Sequence, residues 1–231
     1  MSLAIVTGAA RGIGRAISER LRDEGYELIL VDADPVVNET AAELGGEAVV
    51  VDLSSQQGRA MIGSALGDRE LRVLVNNAGI TRDARIEKMS EDDFRAVVRV
   101  NLCAVGAMID ELERRICDGG AIVNISSRTA LGNFGQFNYS LSKGGVIGIT
   151  RAKAVALAPR VRVNAIAPGF VESAMTAAMP ASARERALGR IPLKRSAQPC
   201  EIAEIVAWLA SEGSAYMTGQ TIQVCGGRSI G

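Results

Sequence analysis

LAIVTGAARGIGRAISERLRDEGYELILVD, residues 3–32, reads as strand, glycine loop, helix and second strand. Leu3 to Thr7 is a short apolar run with β-branched residues, the pattern of a buried strand. Gly8-Ala9-Ala10-Arg11-Gly12-Ile13-Gly14 follows, then a helical pattern to about Glu24 with Ala16, Ile17 and Leu21 on one face. Gly25 ends that helix. Leu28 to Val31 is a second apolar run, ending at Asp32. Glycines between a strand and a helix let backbone N–H groups approach a phosphate, and the helix N-terminus adds partial positive charge. The spacing G-x-x-x-G-x-G is a variant of the dinucleotide fingerprint. Asp32, 18 positions after Gly14, stands where a ribose 2′-hydroxyl is held. Its carboxylate would repel a 2′-phosphate, which favours NAD(H) and leaves NADP(H) as the alternative; Arg11 pulls the other way.

The alternation continues outward. Residues 35–44 look helical, and Glu47 to Val51 is a third strand ending at Asp52-Leu53. A helical pattern at 55–67 precedes a fourth strand, Leu71 to Val75, ending at Asn76-Asn77-Ala78-Gly79. Ser90, with Asp93, caps the next helical region, which is expected to run on through Asn101 to about Ile116. Ala121 to Ile125 is a fifth strand ending at Ser126, residues 137–157 are a helix, and Val161 to Ile166 is a sixth strand before Pro168-Gly169. A helix follows Pro199, and Thr221 to Val224 is a last strand. Strands alternating with helices predict an α/β fold: one Rossmann-type domain over 1–231, a doubly wound parallel sheet of about seven strands with helices on both faces. Ligands of such sheets bind beyond the carboxyl ends of the strands, where Gly8, Asp32, Asp52, Asn77, Ser126 and Pro168 collect. Residues 170–195 break the rhythm and read as a substrate lid, with Met175 and Met179 offering adaptable apolar contacts.

Composition narrows the chemistry. Hydrophobic residues make up 48% of the 231 and charged residues 23%, with 26 Lys+Arg against 26 Asp+Glu. That is ordinary for a globular chain with a sizeable core, and the balance gives no sign of nucleic-acid or membrane partners. No histidine occurs, and the four cysteines are scattered, so no metal site is expected. Reduced thiols and no signal-like or spanning apolar segment predict a cytoplasmic protein.

Within SSRTALGNFGQFNYSLSK, residues 126–143, Tyr139 and Lys143 stand four apart, one turn apart on one helix face. A free tyrosine titrates near 10, and a neighbouring ammonium is expected to lower that value. Ser126, at a strand end, would hold a substrate oxygen beside the tyrosine.

Together, TGAARGIG (7–14), DL (52–53), NNAG (76–79), Asn101, S…YxxxK (126, 139, 143), RVNAIAPG (162–169) and TGQTIQVCGG (218–227) resemble the short-chain dehydrogenase/reductase family over essentially the whole chain. The resemblance implies an NAD(P)-dependent oxidoreductase acting on an alcohol or carbonyl, usually a homotetramer. It implies Tyr139 as general acid/base and Lys143 on the nicotinamide ribose. Ser126 would orient the carbonyl, and Asn101 would support a water in the proton relay. Gly8, Arg11, Gly12, Ile13 and Gly14 would cradle the pyrophosphate and ribose, and Asp32, Asp52 and Leu53 would flank the adenosine. Asn77, Ala78 and Gly79 would line the ribose side, Pro168, Gly169 and Val171 the nicotinamide side, and Ser173 would meet the carboxamide. NAGITRD (77–83), GQFNYSLSK (135–143), APGFVESAMT (167–176) and RIPLKR (190–195) look most like 3-oxoacyl-thioester reductases. Those usually prefer NADPH, and Asp32 departs from that. Three readings stay open: reduction of 3-oxoacyl thioesters or oxidation of 3-hydroxyacyl ones, an NAD-dependent dehydrogenase of a cyclic alcohol, polyol or sugar, and a non-catalytic cofactor-binding subunit.

Overall fold

The computed structural model describes residues 2–177 and 179–230, with only the backbone of residues 174 and 175. Met175 of the expected lid contacts therefore lies outside the described side chains. Seven strands form one sheet: β1 (Leu3–Thr7), β2 (Glu27–Asp32), β3 (Glu47–Val50), β4 (Leu71–Asn76), β5 (Ile116–Ile125), β6 (Val161–Pro168) and β7 (Thr221–Val224). The spatial order is β3-β2-β1-β4-β5-β6-β7, and every pairing is parallel. The order reverses between β1 and β4, the place where open parallel sheets of this kind leave a ligand crevice.

Both faces of the central strands are apolar because both are covered. Alternate residues serve opposite cores: Leu3, Ile5, Ile29 and Val31 face one, Ala4, Val6, Leu28 and Leu30 the other. The first core is closed by α3 (Gln56–Leu66), α5 (Ala104–Leu112) and α6 (Phe137–Leu157), through Ile62, Met108, Ile109 and Val146. The second is closed by α1 (Gly12–Asp23), α2 (Val37–Leu44) and α9 (Pro199–Ala210), through Ile17, Leu21, Ala41, Ile202 and Val206. Between α3 and α5, α4 (Glu91–Val98) begins at Ser90, whose Oγ accepts the Asp93 N–H at 3.1 Å.

Two segments depart from the periodicity. The helical run through Asn101 to Ile116 is broken. α4 gives way to a π turn at Arg99–Cys103, then α5, then a 3-10 turn at Glu113–Arg115. β5 then starts at Ile116, not Ala121. Its Asp118-Gly119-Gly120 segment bulges out of register with β4, where Leu71 pairs Ile116 but Val73 pairs Ala121. Glycines of this kind within a strand mark a bulge, so the Gly-Gly pair that reads as a boundary lies inside the element. Residues 170–195 carry two short helices, α7 (Ala174–Ala177) and α8 (Ala181–Gly189). Glu172 ties α8 back, accepting from Arg184 Nη2 and Ser196 Oγ, both at 2.7 Å.

Candidate active site

The glycine loop between β1 and α1 is held from below by the end of β4. Thr7 Oγ1 accepts the N–H groups of Asn77 (3.0 Å) and Ala78 (3.1 Å), and Asn77 Nδ2 donates to the carbonyls of Thr7 and Gly8, each at 3.0 Å. Gly8 has φ +67°, and a Cβ there would lie 2.8 Å from Ala78 Cα; a Cβ on Gly14 would collide with the Gly8 carbonyl oxygen. Only glycine permits this closeness. The first turn of α1 has no side-chain cap and no acidic residue, so its N–H groups and partial positive charge remain for an anion. Ile13 packs against the core beneath, while Arg11 and Gly12 are exposed on top. This cradle fits the pyrophosphate of a dinucleotide. Asn77 and Ala78, expected to line a ribose, are seen to brace the loop.

At the end of β2, Asp32 accepts the Ala10 N–H through Oδ2 and the Asp34 N–H through Oδ1, both at 3.0 Å. Arg11 pairs with Asp34. The one loop cation is thus neutralised by a second acid that the sequence reading passed over. After β3, Asp52 accepts from the Ser54 N–H and hydroxyl, both at 2.8 Å, and Leu53 is buried in the core.

The proton-handling groups meet where β5, the π turn and α6 converge. Asn76 Nδ2 donates to Asn124 Oδ1 (2.8 Å) and Asn124 Nδ2 to Thr150 Oγ1 (2.9 Å). This buried network fixes α6 against β4 and β5. The start of α6 is fastened by Asn138 Nδ2 to the Arg82 carbonyl at 2.9 Å. Lys143 Nζ is buried, donates to the Ile125 carbonyl at 2.7 Å and lies 5.8 Å from the Tyr139 ring centre. A Cβ on Gly79 would lie 3.4 Å from that Nζ, so the glycine leaves room beside it.

Burial sets the ionisation here. It lowers the Lys143 ammonium to about 8. It also raises the Tyr139 phenol above its ordinary value, opposed by a hydrogen bond with the Ser127 side chain and reinforced by Asp83. The expected depression of the tyrosine by its lysine is reversed, because desolvation of the phenolate is the largest contribution. Tyr139 therefore keeps its proton at neutral pH.

The serine assignment also moves. Ser126 is buried, its N–H still in the sheet on the Ile166 carbonyl (2.7 Å) and its Oγ donating to the Lys143 carbonyl at 2.8 Å. Ser127, the next residue, is the serine whose side chain meets Tyr139. In a Ser-Ser pair at a strand end, alternation turns one side chain under the helix and the other to the crevice; that was the available signal. Asn101 is fully buried in the π turn, a feature often found at functional sites. Its Oδ1 accepts the Ile80 N–H (2.8 Å), and its Nδ2 donates to the Ile80 carbonyl (2.9 Å) and Ser142 Oγ (3.3 Å). Its side chain clamps residue 80, using both amide hydrogens and one of the two acceptor positions of Oδ1. Pro168 ends β6, and the Gly169 N–H donates to the Val224 carbonyl at 2.8 Å. Val171 bridges to Ala197, and Ser173 Oγ accepts the Thr176 N–H at 3.1 Å.

The chain has relatives with the same architecture. A family model described as Enoyl-(Acyl carrier protein) reductase matches residues 8–229. The 3-oxoacyl-[acyl-carrier-protein] reductase FabG of Thermotoga maritima is 41% identical over 238 residues, covering 98% of this chain and 97% of that protein. Its Staphylococcus aureus counterpart is 42% identical over 241 residues, covering 97% and 96%. The crystal structure of a short-chain dehydrogenase/reductase from Brucella melitensis, described as a glucose/ribitol dehydrogenase, matches with TM-score 0.94 at 32% identity, covering 98% and 96%.

Proposed function

The chain belongs to the short-chain dehydrogenase/reductase family and is an NAD(P)-dependent oxidoreductase interconverting a secondary alcohol and a ketone, and on that premise we propose that it reduces 3-oxoacyl thioesters with NADH. The single observation that carries the reading is the buried Lys143 Nζ, 5.8 Å from the ring centre of Tyr139, with Ser127 the serine that acts on that tyrosine. Bound nicotinamide supplies the hydride. Ser127 Oγ donates to the substrate carbonyl oxygen and Tyr139 delivers its proton to that oxygen as charge develops on it. Lys143 holds the nicotinamide ribose through the Nζ donors that Ile125 leaves free. The names of the FabG relatives support the thioester.

Asp32 and the Arg11–Asp34 pair support NADH: two carboxylates stand where a 2′-phosphate would lie, and the only loop cation is already engaged. A polyol or sugar dehydrogenase is the second reading, favoured by the glucose/ribitol description of the Brucella relative. In this reading of the fold, residues 170–195 close over the substrate. Exposed Val155, Trp208 and Tyr216 support assembly as a homotetramer. Among the described residues no helix is long and apolar enough to cross a membrane, and we place the enzyme in the cytoplasm.

The test is consumption of NADH and of NADPH, at equal concentration, with acetoacetyl-CoA. Faster NADH consumption is expected. Turnover with NADPH alone overturns the cofactor assignment, and no turnover with either overturns the thioester.

A further inference from the structure

Among the described residues, three arginines stand beside this site without counter-ions. Arg128 directly follows Ser127 in a 3-10 turn, Arg190 follows α8, and Arg228 lies in the loop after β7. The backbone brings them into one wall. The Gly169 N–H reaches the Val224 carbonyl at 2.8 Å and the Leu193 N–H reaches the Gly226 carbonyl at 3.2 Å. A Cβ on Gly169 would lie 2.7 Å from Cys225 Cα, and one on Gly226 2.7 Å from Ile191 Cγ2. Burial, then Arg128, then Arg190 lower the Arg228 guanidinium; of the groups acting on it, Cys225 alone opposes them.

Several other arginines near the same sheet edge or loops are paired, among them Arg11 with Asp34, Arg184 with Glu172 and Arg195 with Glu201, whereas Arg85, Arg99, Arg151 and Arg186 are not, among the described residues. None of the ion pairs among the described residues includes Arg128, Arg190 or Arg228. Arg128 Nε is buried with no hydrogen-bond partner among the described residues. A buried charged donor is costly to leave unmade, and like charges held together add repulsion. A fold tolerates that where a ligand completes the arrangement.

We propose that Arg128, Arg190 and Arg228 form a binding site for an oxyanion carried by the substrate, a carboxylate or a phosphate, at the rim of the reduction site. This rests on the oxidoreductase reading above and deepens it: the substrate is an anionic carbonyl compound, not a neutral polyol or sugar. The two sources of the anion are the carboxylate of a free 3-oxo acid and a phosphate on the pantetheine arm of a thioester. Arginine suits both, since its fork of donors matches either group.

Steady-state kinetics on Arg128→Gln and Arg228→Gln test it, with acetoacetate, acetoacetyl-CoA and the neutral N-acetylcysteamine thioester of acetoacetate. KM for an anionic substrate is expected to rise about tenfold or more, the scale of a lost charge-assisted hydrogen bond. kcat changes little, and KM for the neutral thioester stays put. A rise confined to acetoacetate assigns the carboxylate, and one confined to acetoacetyl-CoA assigns the phosphate. Equal changes on all three substrates, or none, overturn the site. Thermal unfolding supplies a readout independent of turnover. With NADH present, inorganic phosphate or acetoacetate should raise the Tm of the wild type and not of the variants, whose own Tm should match or exceed it. If no substrate turns over, the reductase reading fails and this shift still decides the anion site. No shift, or variants with lowered Tm and unaltered anion response, overturns it.

Discussion

The cradle around Gly8 and Gly14 and the wall around Ser127, Arg128 and Arg228 lie along the same edge of one sheet, yet they treat polar groups differently. In the cradle the framing groups are partnered: Thr7 with Asn77 and Ala78, Asp32 with two backbone N–H groups, Arg11 with Asp34. What remains open is backbone amide and space. In the wall the side chains themselves are underused: Lys143 Nζ has one carbonyl, Arg128 Nε none among the described residues, and Tyr139 is kept in its protonated form by burial. The first region is shaped to receive a constant cofactor through the main chain. The second holds reactive and charged side chains in reserve for a substrate. Stability should therefore be limited by the second region and cofactor affinity by the first.

Four substitutions separate the two, in falling order of effect. Gly14→Ala drives a Cβ into the Gly8 carbonyl. It should weaken NADH binding by about 1,000-fold or more, about 4 kcal/mol, as read by fluorescence titration; an unchanged Kd would show that the loop yields. Lys143→Met removes a buried ammonium whose value falls from 10.5 to about 8, a cost of roughly 3 kcal/mol at 1.36 kcal/mol per unit. Below pH 8 both folded and unfolded chains hold that proton and the cost is fully present. Between about 8 and 10.5 only the unfolded chain binds it, so wild-type stability from this group rises with pH. Urea unfolding should show that rise in the wild type, its absence in Lys143→Met, and a more stable variant at pH 7; a less stable one contradicts the assignment. Ser127→Ala should lower kcat about tenfold or more, since it removes a donor aimed at developing charge. Ser126→Ala should instead cost stability, about 1 kcal/mol for a buried hydrogen bond. If the two exchange behaviours, Ser126 is the serine at the carbonyl.

Much of the cradle was legible in the sequence, and the wall was legible only in outline. The central parallel strands are buried on both faces and must be apolar runs; the edge strands β3 and β7 are only partly buried but short and β-branched, so all seven announced themselves, and the residues at their ends fell on one edge. Asp34 was missed because a half-buried acid two residues past a strand carries no periodic signal. The π turn at Asn101 was missed because one extra residue in a helix barely disturbs apolar spacing. β5 began early because Gly119 and Gly120, which look like a boundary, form a bulge inside the strand. Ser127 was displaced by Ser126 because a doublet at a strand end leaves the facing residue to be settled by register. The arginine wall joins residues 128, 190 and 228, distant in sequence, and only the β6–β7 pairing and the C-terminal loop bring them together.

The role of Tyr139 as proton donor is tested most directly by single-turnover hydride transfer from bound NADH to a 3-oxoacyl thioester in wild type and Tyr139→Phe, with NADH affinity measured on the same samples. Equal NADH affinity is expected, with a transfer rate lower by about 10²–10⁴-fold in the variant. Equal transfer rates would remove Tyr139 from the chemistry and contradict the proposed mechanism.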